Sequence, residues 1–469
     1  MALTAVEQYA FELINRARLD PLAEAERYDL DLNANLTPGT ITTAAKQVVA
    51  PNTLLEQAAE DHSIWMLNEN IFSHTGSSDS SPGHRMAAAG YQFTGNWSWR
   101  ENLAWSGTTG TLVLASAIEA HHEGLYRSEG HRENTFGENS KELGLAQVQG
   151  VFTTGGNNFN ASMLTLNYAS TGTDNFITGV AYHDLDGDAF YSIGEGISDV
   201  EFSVGGDISL SASAGGYALG VTPGEVDVSV SVDGSEQASL RIDASEGNAK
   251  LDLVTDQDGL QWLDLSASAD LIDGISNARL LGVSDLDLSG TSGSDTLVGN
   301  KGRNVLRGEG GDDALFGGTG IDILYGGEGD DLLEGGEGRD MYWEDTNLLT
   351  GVSGNADVLE GEGGNDTLIG LSGTDVLDGG DGDDILTGGS GRDTFVFNGG
   401  HDRITDFALG VDVLTLEADP LSLPNLTSEQ LASMISVGAD QLVLDFGGDT
   451  LTVDGLTDSD GLLGDVTIV

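Results

Sequence analysis

GGTGIDILY (Gly317 to Tyr325), GGEGDDLLE (Gly326 to Glu334) and GGDGDDILT (Gly379 to Thr387) are copies of one nine-residue unit, Gly-Gly-x-Gly-x-Asp-x-(apolar)-x. The glycines let the backbone turn at positive φ, the aspartate carboxylate points into the turn, and the apolar eighth residue (Leu324, Leu333, Leu386) packs inside a short strand. Two units make one coil of a parallel β-roll. Each aspartate is therefore expected beside that of the turn two units on, with carboxylate and carbonyl oxygens lining the gap. That donor set suits a hard cation with six or more oxygen ligands, hence Ca²⁺ rather than Zn²⁺.

Ten units fall in two blocks, Gly290 to Trp343 and Gly361 to Val396, separated by EDTNLLTGVSGNADVLE. The spacer keeps a degenerate turn around Gly354 and Asp357 and is read as bulging from the roll without ending it. Nine units carry the ligand aspartate: Asp295, Asp313, Asp322, Asp331, Asp340, Asp366, Asp375, Asp384 and Asp393. In the tenth, Asn304 loses the charge but keeps an oxygen. Pairing within each block gives roughly five or six ions, with the one at Asn304 weakest. A flexible acidic linker would not place Leu, Ile, Phe or Tyr regularly at position eight. Residues 256–289 keep short apolar runs without the glycines and are expected to cap the roll. Residues 397–469 are expected to close it, with strands in DRITDFALGVDVLTL and QLVLDFGGDTLTVDGL and a helix from Ser428 to Val437.

These units resemble the repeats-in-toxin family, and the last segment resembles the end of proteins exported by type I machinery. The resemblance implies secretion, with that machinery as partner. It also implies acidic repeats that stay extended in low-Ca²⁺ cytosol and fold when millimolar Ca²⁺ binds outside.

Composition agrees. The 469 residues carry 77 acidic and 18 basic side chains, a net charge of −59, which disfavours nucleic acid and anionic membranes as partners. Residues 1–172 hold 19 acidic and 9 basic residues, a net of −10, so −49 lies behind them. There is no cysteine, hence no disulfide and no thiolate metal site. The N-terminal MALTAVEQYAFELINRARLDP lacks the pattern of a Sec signal, no run reaches transmembrane length, and export is expected through another signal.

The first segment reads as mixed helix and strand. Thr4 and Glu7 fit a capping box ahead of Val6, Ala10, Leu13, Ile14 and Ala17, and Pro21 ends that run. Further helices are expected from about Asn52 and from about Thr111 to Ser128. ENLAW, LGLAQVQG and ASMLTLNYA read as sheet. FSHTG (Phe72 to Gly76), RENLAW (Arg100 to Trp105) and SEGHREN (Ser128 to Asn134), after Asn15 and Arg18, resemble the CAP superfamily of cysteine-rich secretory, antigen 5 and pathogenesis-related proteins. The resemblance covers roughly residues 3–170. It implies an α-β-α sandwich whose cleft holds His74, His131, Glu101 and a second glutamate, for which Glu123 is the choice and Glu119 and Glu129 are the neighbours.

From the residues alone, two imidazoles and two carboxylates in one pocket would hold Zn²⁺ or another divalent ion, or would brace the loops by bonding one another. Both readings stand at this point. The spacing is not HExxH, and no Ser-His-Asp set in a hydrolase context is visible. His62 reads as a core histidine, and His121 and His122 as surface residues.

From Ile177 to about Leu253 short alternating runs predict a β-sandwich. It resembles the small prealbumin-like or B-type modules of bacterial surface proteins. Within it DLDGDAFYSIGE places Asp184, Asp186, Asp188 and Glu195 at positions one, three, five and twelve of an EF-hand-like Ca²⁺ loop, with Ala189 where glycine is usual.

The expectation is thus a multidomain protein: an α-β-α sandwich (1–172), a small β-sandwich (177–253), a cap (256–289), a parallel β-roll (290–396) and a closing export segment (397–469). Its function is expected to be that of a secreted calcium-binding protein whose first domain takes a sterol, lipid or cell-surface partner. The alternatives are a metal-dependent hydrolase and an adhesin or matrix protein.

Overall fold

The computed structural model describes residues 3–329, 331–336, 357–417 and 426–469. They form two compact units, Met1–Ala267 and Ser268–Val469. The molecule is mixed α/β and multidomain, with long parallel-strand sheets in its second unit.

In the first unit α1 (Ala5–Leu19) begins where Thr4 and Glu7 close the capping box, and Pro21 opens α2 (Pro21–Arg27) under an Asp20 cap. After β1 (Ala50–Pro51), the Asn52 side chain caps α3 (Thr53–Glu69), which ends at Asn70 in the left-handed region, φ 53°. There follow α4 (Pro82–Ala88), β2 (Ser98–Thr108), α5 (Leu114–Arg127), α6 (Glu129–Thr135), β3 (Glu142–Thr154) and β4 (Asn157–Ser170). The strands pair in the order β1-β3-β4-β2.

Alternation along β4 decides what each helix covers. Leu164, Leu166 and Tyr168 pack with Phe11 and Ile14 of α1 and Ile118 and Leu125 of α5. Met163 packs instead with Met66 and Leu67 of α3, and Ala169 with Leu55 and Ala58. Helix α3 lies so close to β3 that a Cβ on Gly144 would sit 2.1 Å from the Leu55 carbonyl carbon, which is why a glycine stands there. Arg18, fully buried, donates to the carbonyls of Gln47 (2.7 Å), Thr135 (2.6 Å) and Gly137 (3.3 Å), tying α1 to the chain beyond α6.

The same unit continues through β5 (Asn175–His183), β6 (Glu201–Val204), β7 (Asp207–Leu210), β8 (Gly216–Val221), β9 (Glu225–Val232), β10 (Ser235–Asp243), β11 (Ala249–Thr255) and β12 (Gln261–Leu265). β5 pairs antiparallel with β8 and parallel with β11, and β11 pairs antiparallel with β12. β6 lies between β7 and β9, and β9 pairs with β10. These strands are bound to α1 by buried charge: Lys250 on β11 sits 2.9 Å from Glu12 and is also paired with Asp252.

In the second unit strands of two to seven residues stack in parallel at an 18-residue register, as Leu288 with Leu306 and Leu306 with Leu324. The position-eight residues Leu297, Leu306, Leu315, Leu324, Leu333, Leu368, Leu377, Leu386 and Phe395 are all fully buried. Across the spacer the step lengthens to 35: Leu324 pairs with Leu359 and Leu333 with Leu368. The roll therefore continues past the spacer, with Asp357 in the next ligand position. Asp340 lies outside the described residues. The closing segment supplies His401–Ile404, Val413–Leu416, Gln441–Asp445 and Thr450–Asp454; the helix expected to reach Val437 stops at Met434, because Ile435–Val437 pairs as a strand with Gln441–Asp445, and a second short helix spans Ser459–Gly464. Among the described residues no helix is long and apolar enough to cross a membrane.

Candidate functional site

Three sets of polar side chains stand out, and the roll holds the largest. Along one edge each ligand residue donates its backbone N–H to a carboxylate oxygen of the next coil: Asp295 to Asp313 (2.7 Å), Asp313 to Asp331 (2.7 Å), Asp331 to Asp366 (2.6 Å), Asp366 to Asp384 (2.8 Å) and Asp384 to Asp402 (3.2 Å). The other edge runs Asn304, Asp322, Asp357, Asp375, Asp393, Asp412 in the same way. These carboxyls are buried, and Asp313, Asp322, Asp357, Asp375, Asp384 and Asp402 each leave Oδ2 without a hydrogen-bond partner among the described residues. Glycine carbonyls flank them. A Cβ on Gly308 would meet Asp313 Oδ2 at 2.2 Å and the Gly326 carbonyl oxygen at 2.4 Å.

Burial, the largest cause, pushes Asp313 and Asp375 up to about 7 and Asp322 and Asp402 to about 8. Bare carboxylate and carbonyl oxygens massed out of water are a donor set for a hard cation, and Ca²⁺ fits it. Asp357, Asp402 and Asp412 belong to the ladders although no nine-residue unit marks them. The surviving signal is short, an aspartate two residues before a buried apolar side chain, as in Asp402-Arg403-Ile404 and Asp412-Val413-Leu414.

The second set is the acidic loop between β5 and β6. Oxygens of Asp184, Asp186 and Asp188 lie within 4.8 Å of one another. Glu195 folds back on the loop, accepting from the N–H groups of Leu185 (2.8 Å) and Ser192 (2.6 Å). Ala189 takes the left-handed backbone usually given to glycine, φ 56°. The next residue, Phe190, lies 6.2 Å from the Tyr9 ring and 4.8 Å from the Arg16 guanidinium, both on α1.

The third set centres on Glu101 of β2, whose side chain is buried. Its Oε1 accepts from His74 Nδ1 at 2.8 Å and its Oε2 from Arg85 Nη2 at 2.5 Å. Arg85, on α4, also donates to the carbonyls of His74 (3.0 Å) and Ser80 (2.9 Å), so it fixes the histidine's loop as well as the carboxylate. The His131 ring stands 6.4 Å from that of His74, and burial, with His74 nearby, lowers its basicity. Glu123 is not brought to this group. It lies on the exposed face of α5, paired with Arg127 one turn on at 2.8 Å. Glu119 is exposed and accepts from the Tyr9 hydroxyl, 3.4 Å away, and Glu129 is exposed at the start of α6.

The remaining histidines divide. His62 is buried, bonded to the Ser73 carbonyl (2.9 Å) and stacked on Trp65. His121 and His122, expected at the surface, are both buried, because the first turns toward Ser162 of β4 and the second toward Glu24 of α2. His121 Nε2 meets Ser162 Oγ at 2.9 Å, and burial lowers its pKa to about 4. His122 meets Glu24 at 2.8 Å. Burial alone would raise Glu24, but bonds from His122 and Arg16 outweigh it and hold the group at about 2.

Residues 11–159 match the model of the cysteine-rich secretory protein family, CAP. Residues 289–324, 310–342, 352–386 and 369–404 match four copies of the RTX calcium-binding nonapeptide repeat. The chain carries a CAP domain followed by RTX repeats. This CAP domain differs from its family's name in having no cysteine. Similar solved structures include an extracellular SCP-domain protein from Bacillus anthracis str. Ames (22% identity, 34% of this chain and 39% of that one, TM-score 0.22). The extracellular lipase LipA of Serratia marcescens is 20% identical over 45% of this chain and 43% of that one, TM-score 0.20. The AlgE6R3 subunit of the Azotobacter vinelandii mannuronan C5-epimerase is 20% identical over 39% and 78%, TM-score 0.18. The chain thus spans less than half the length of the first two. No curated protein matches it.

Proposed function

We propose that this is a secreted protein, stabilised by calcium, whose CAP domain binds a sterol, lipid or other apolar ligand at the cleft edged by His74 and His131. Trp99 carries the reading. It stands two residues before Glu101 on the same face of β2 and is 37% exposed, while Phe72, two residues before His74, is 42% exposed. An aromatic rim beside a polar floor suits a ligand with an apolar body and a polar end. The internal cavity lined by Ile14, Ile118, His122 and Tyr168, about 20 Å³, has room for a water and not for a sterol.

RTX repeats are typical of proteins exported by type I machinery, which supports that route. The segment boundaries of the sequence reading, the α-β-α and β-sandwich layering, and Ca²⁺ in the Asp184-Asp186-Asp188-Glu195 loop belong to the same proposal. A second reading rests on one observation: Glu101 holds His74 by Nδ1, leaving Nε2 without a partner among the described residues, as carboxylates do for histidines that ligate metals. His74 and His131 would then be the Zn²⁺ ligands of a metal-dependent hydrolase, and Glu101, with both oxygens engaged, would not be one.

Titration of the full chain in Ca²⁺ with a fluorescent sterol separates the two. Saturable binding weakened tenfold or more by Trp99→Ala or Phe72→Ala, about 1.4 kcal/mol or more, supports the ligand reading. Stoichiometric Zn²⁺ lost in both His74→Ala and His131→Ala, without sterol binding, supports the metal reading.

A further inference from the structure

Asn304 departs from its ladder. The later ladder carboxylates accept the backbone N–H of the residue 18 (19 at Asp412) or, across the spacer, 35 positions earlier, and Asp313, Asp322, Asp357, Asp375, Asp384 and Asp402 leave one oxygen bare. Asn304 instead donates Nδ2 to the carbonyl of Leu286, 18 residues earlier, at 2.9 Å, while its Oδ1 accepts the N–H of Asn300 at 2.7 Å. Neither side-chain atom is left without a partner.

Asn300, itself buried, repeats the device. Its Nδ2 donates to the carbonyls of Leu281 and Ser284, both at 3.1 Å, and its Oδ1 accepts from Gly302 N–H at 2.6 Å. Between them Arg303 holds Asp285 through its backbone N–H (2.9 Å), Nε (3.0 Å) and Nη2 (2.7 Å). The backbone here is packed as closely as in later coils, since a Cβ on Gly299 would lie 2.1 Å from the Gly317 carbonyl oxygen. Basic residues gather at the same place. Of the seven in Ser268–Val469, four are Arg279, Lys301, Arg303 and Arg307.

We infer that this first turn of the roll, residues 281–304 on the Asn304 edge, is held by its own amide and guanidinium groups and stays folded without calcium, so that the calcium-dependent part begins at the carboxylates after it. The chemistry is one of substitution. Where later coils mass carboxylate and carbonyl oxygens that only a cation can reconcile, Asn300 and Asn304 supply N–H donors to the carbonyls, and Arg303 supplies the positive charge. The first turn then offers a fixed strand edge at Asn304–Gly310, on which Ile323–Glu328 can pair when calcium arrives. This rests on the reading of the roll as calcium-coupled.

Hydrogen exchange of the full chain, followed by mass spectrometry with chelator and with millimolar Ca²⁺, tests it. In chelator, amides of residues 299–304 should keep protection about tenfold or more above those of 361–387, and Ca²⁺ should raise the latter to match. Equal fast exchange in both segments would overturn the inference and leave the calcium reading standing. Equal protection in both would overturn the two together. Asn304→Asp, which folds on the cation as its neighbours do, should lose the protection seen in chelator and bind more calcium by equilibrium dialysis. An Asn304→Asp chain that keeps both values of the parent would also overturn the inference.

Discussion

Replacing Glu101 by glutamine tests whether the polar floor of the cleft is a scaffold. The glutamate has its side chain buried and divides its two oxygens between a half-exposed imidazole and the largely buried Arg85 guanidinium. Glu101→Gln keeps the shape but removes the charge, and its amide turns one acceptor into a donor that faces either His74 or Arg85. Breaking a buried ion pair by removing one partner costs about 3–5 kcal/mol. Arg85 keeps its bonds to the carbonyls of His74 and Ser80, so the lower end, about 3 kcal/mol, applies. The assay is urea unfolding of the full chain in saturating Ca²⁺, followed by tryptophan fluorescence, because five of the six tryptophans (Trp65, Trp97, Trp99, Trp105 and Trp262) lie in the first unit; a Trp343→Phe background removes the sixth. Arg85→Met alone should cost a similar amount. The double variant should cost clearly less than the sum, since the two groups stabilise each other. A loss below about 0.5 kcal/mol for Glu101→Gln, with additivity in the double variant, would refute the scaffold and return the carboxylate to the pool of candidate metal ligands.

The two units should respond to acid in opposite senses. His121 is held at about 4 against 6.5 for a free imidazole, so the unfolded chain binds the extra proton between those values. Its contribution of about 3 kcal/mol is present above pH 6.5 and lost as pH falls toward 4, which tryptophan-detected unfolding would register. In chelator the roll should behave in reverse. Asp313, Asp322, Asp375 and Asp402 titrate at about 7 to 8 when folded, so the folded form binds more protons and gains stability as pH drops from 8 toward 4, read by far-ultraviolet circular dichroism. Gly382→Ala would place a Cβ 1.5 Å from the Gly364 carbonyl oxygen at φ 156°, and should destabilise the Ca²⁺-loaded roll by about 2–3 kcal/mol in guanidinium unfolding.

Features set by local chemistry were legible in the chain. The capping box at Thr4 and Glu7, the Asn52 cap and the buried eighth residues all follow from spacing within a few positions. His74, Glu101 and His131 were reached through motifs and do lie near one another. Arg85 was not, because its role depends on α4 crossing the end of β2, which no local pattern announces. The burial of His121 and His122 was missed for a related reason. Adjacent polar residues on a helix look solvated until both flanking surfaces, β4 and α2, are known. The ladder continued through Asp357, Asp402 and Asp412 because stacking on the previous coil sets the register there, so an aspartate and one buried side chain suffice without the glycines.

Calcium coupling of the roll is tested most directly by measuring bound calcium and far-ultraviolet circular dichroism on the same sample of full chain as chelator is added. The account predicts that several ions leave together with much of the strand signal, that both return in millimolar Ca²⁺, and that tryptophan fluorescence of the first unit changes little. A strand signal that persists after all calcium has been removed would contradict it.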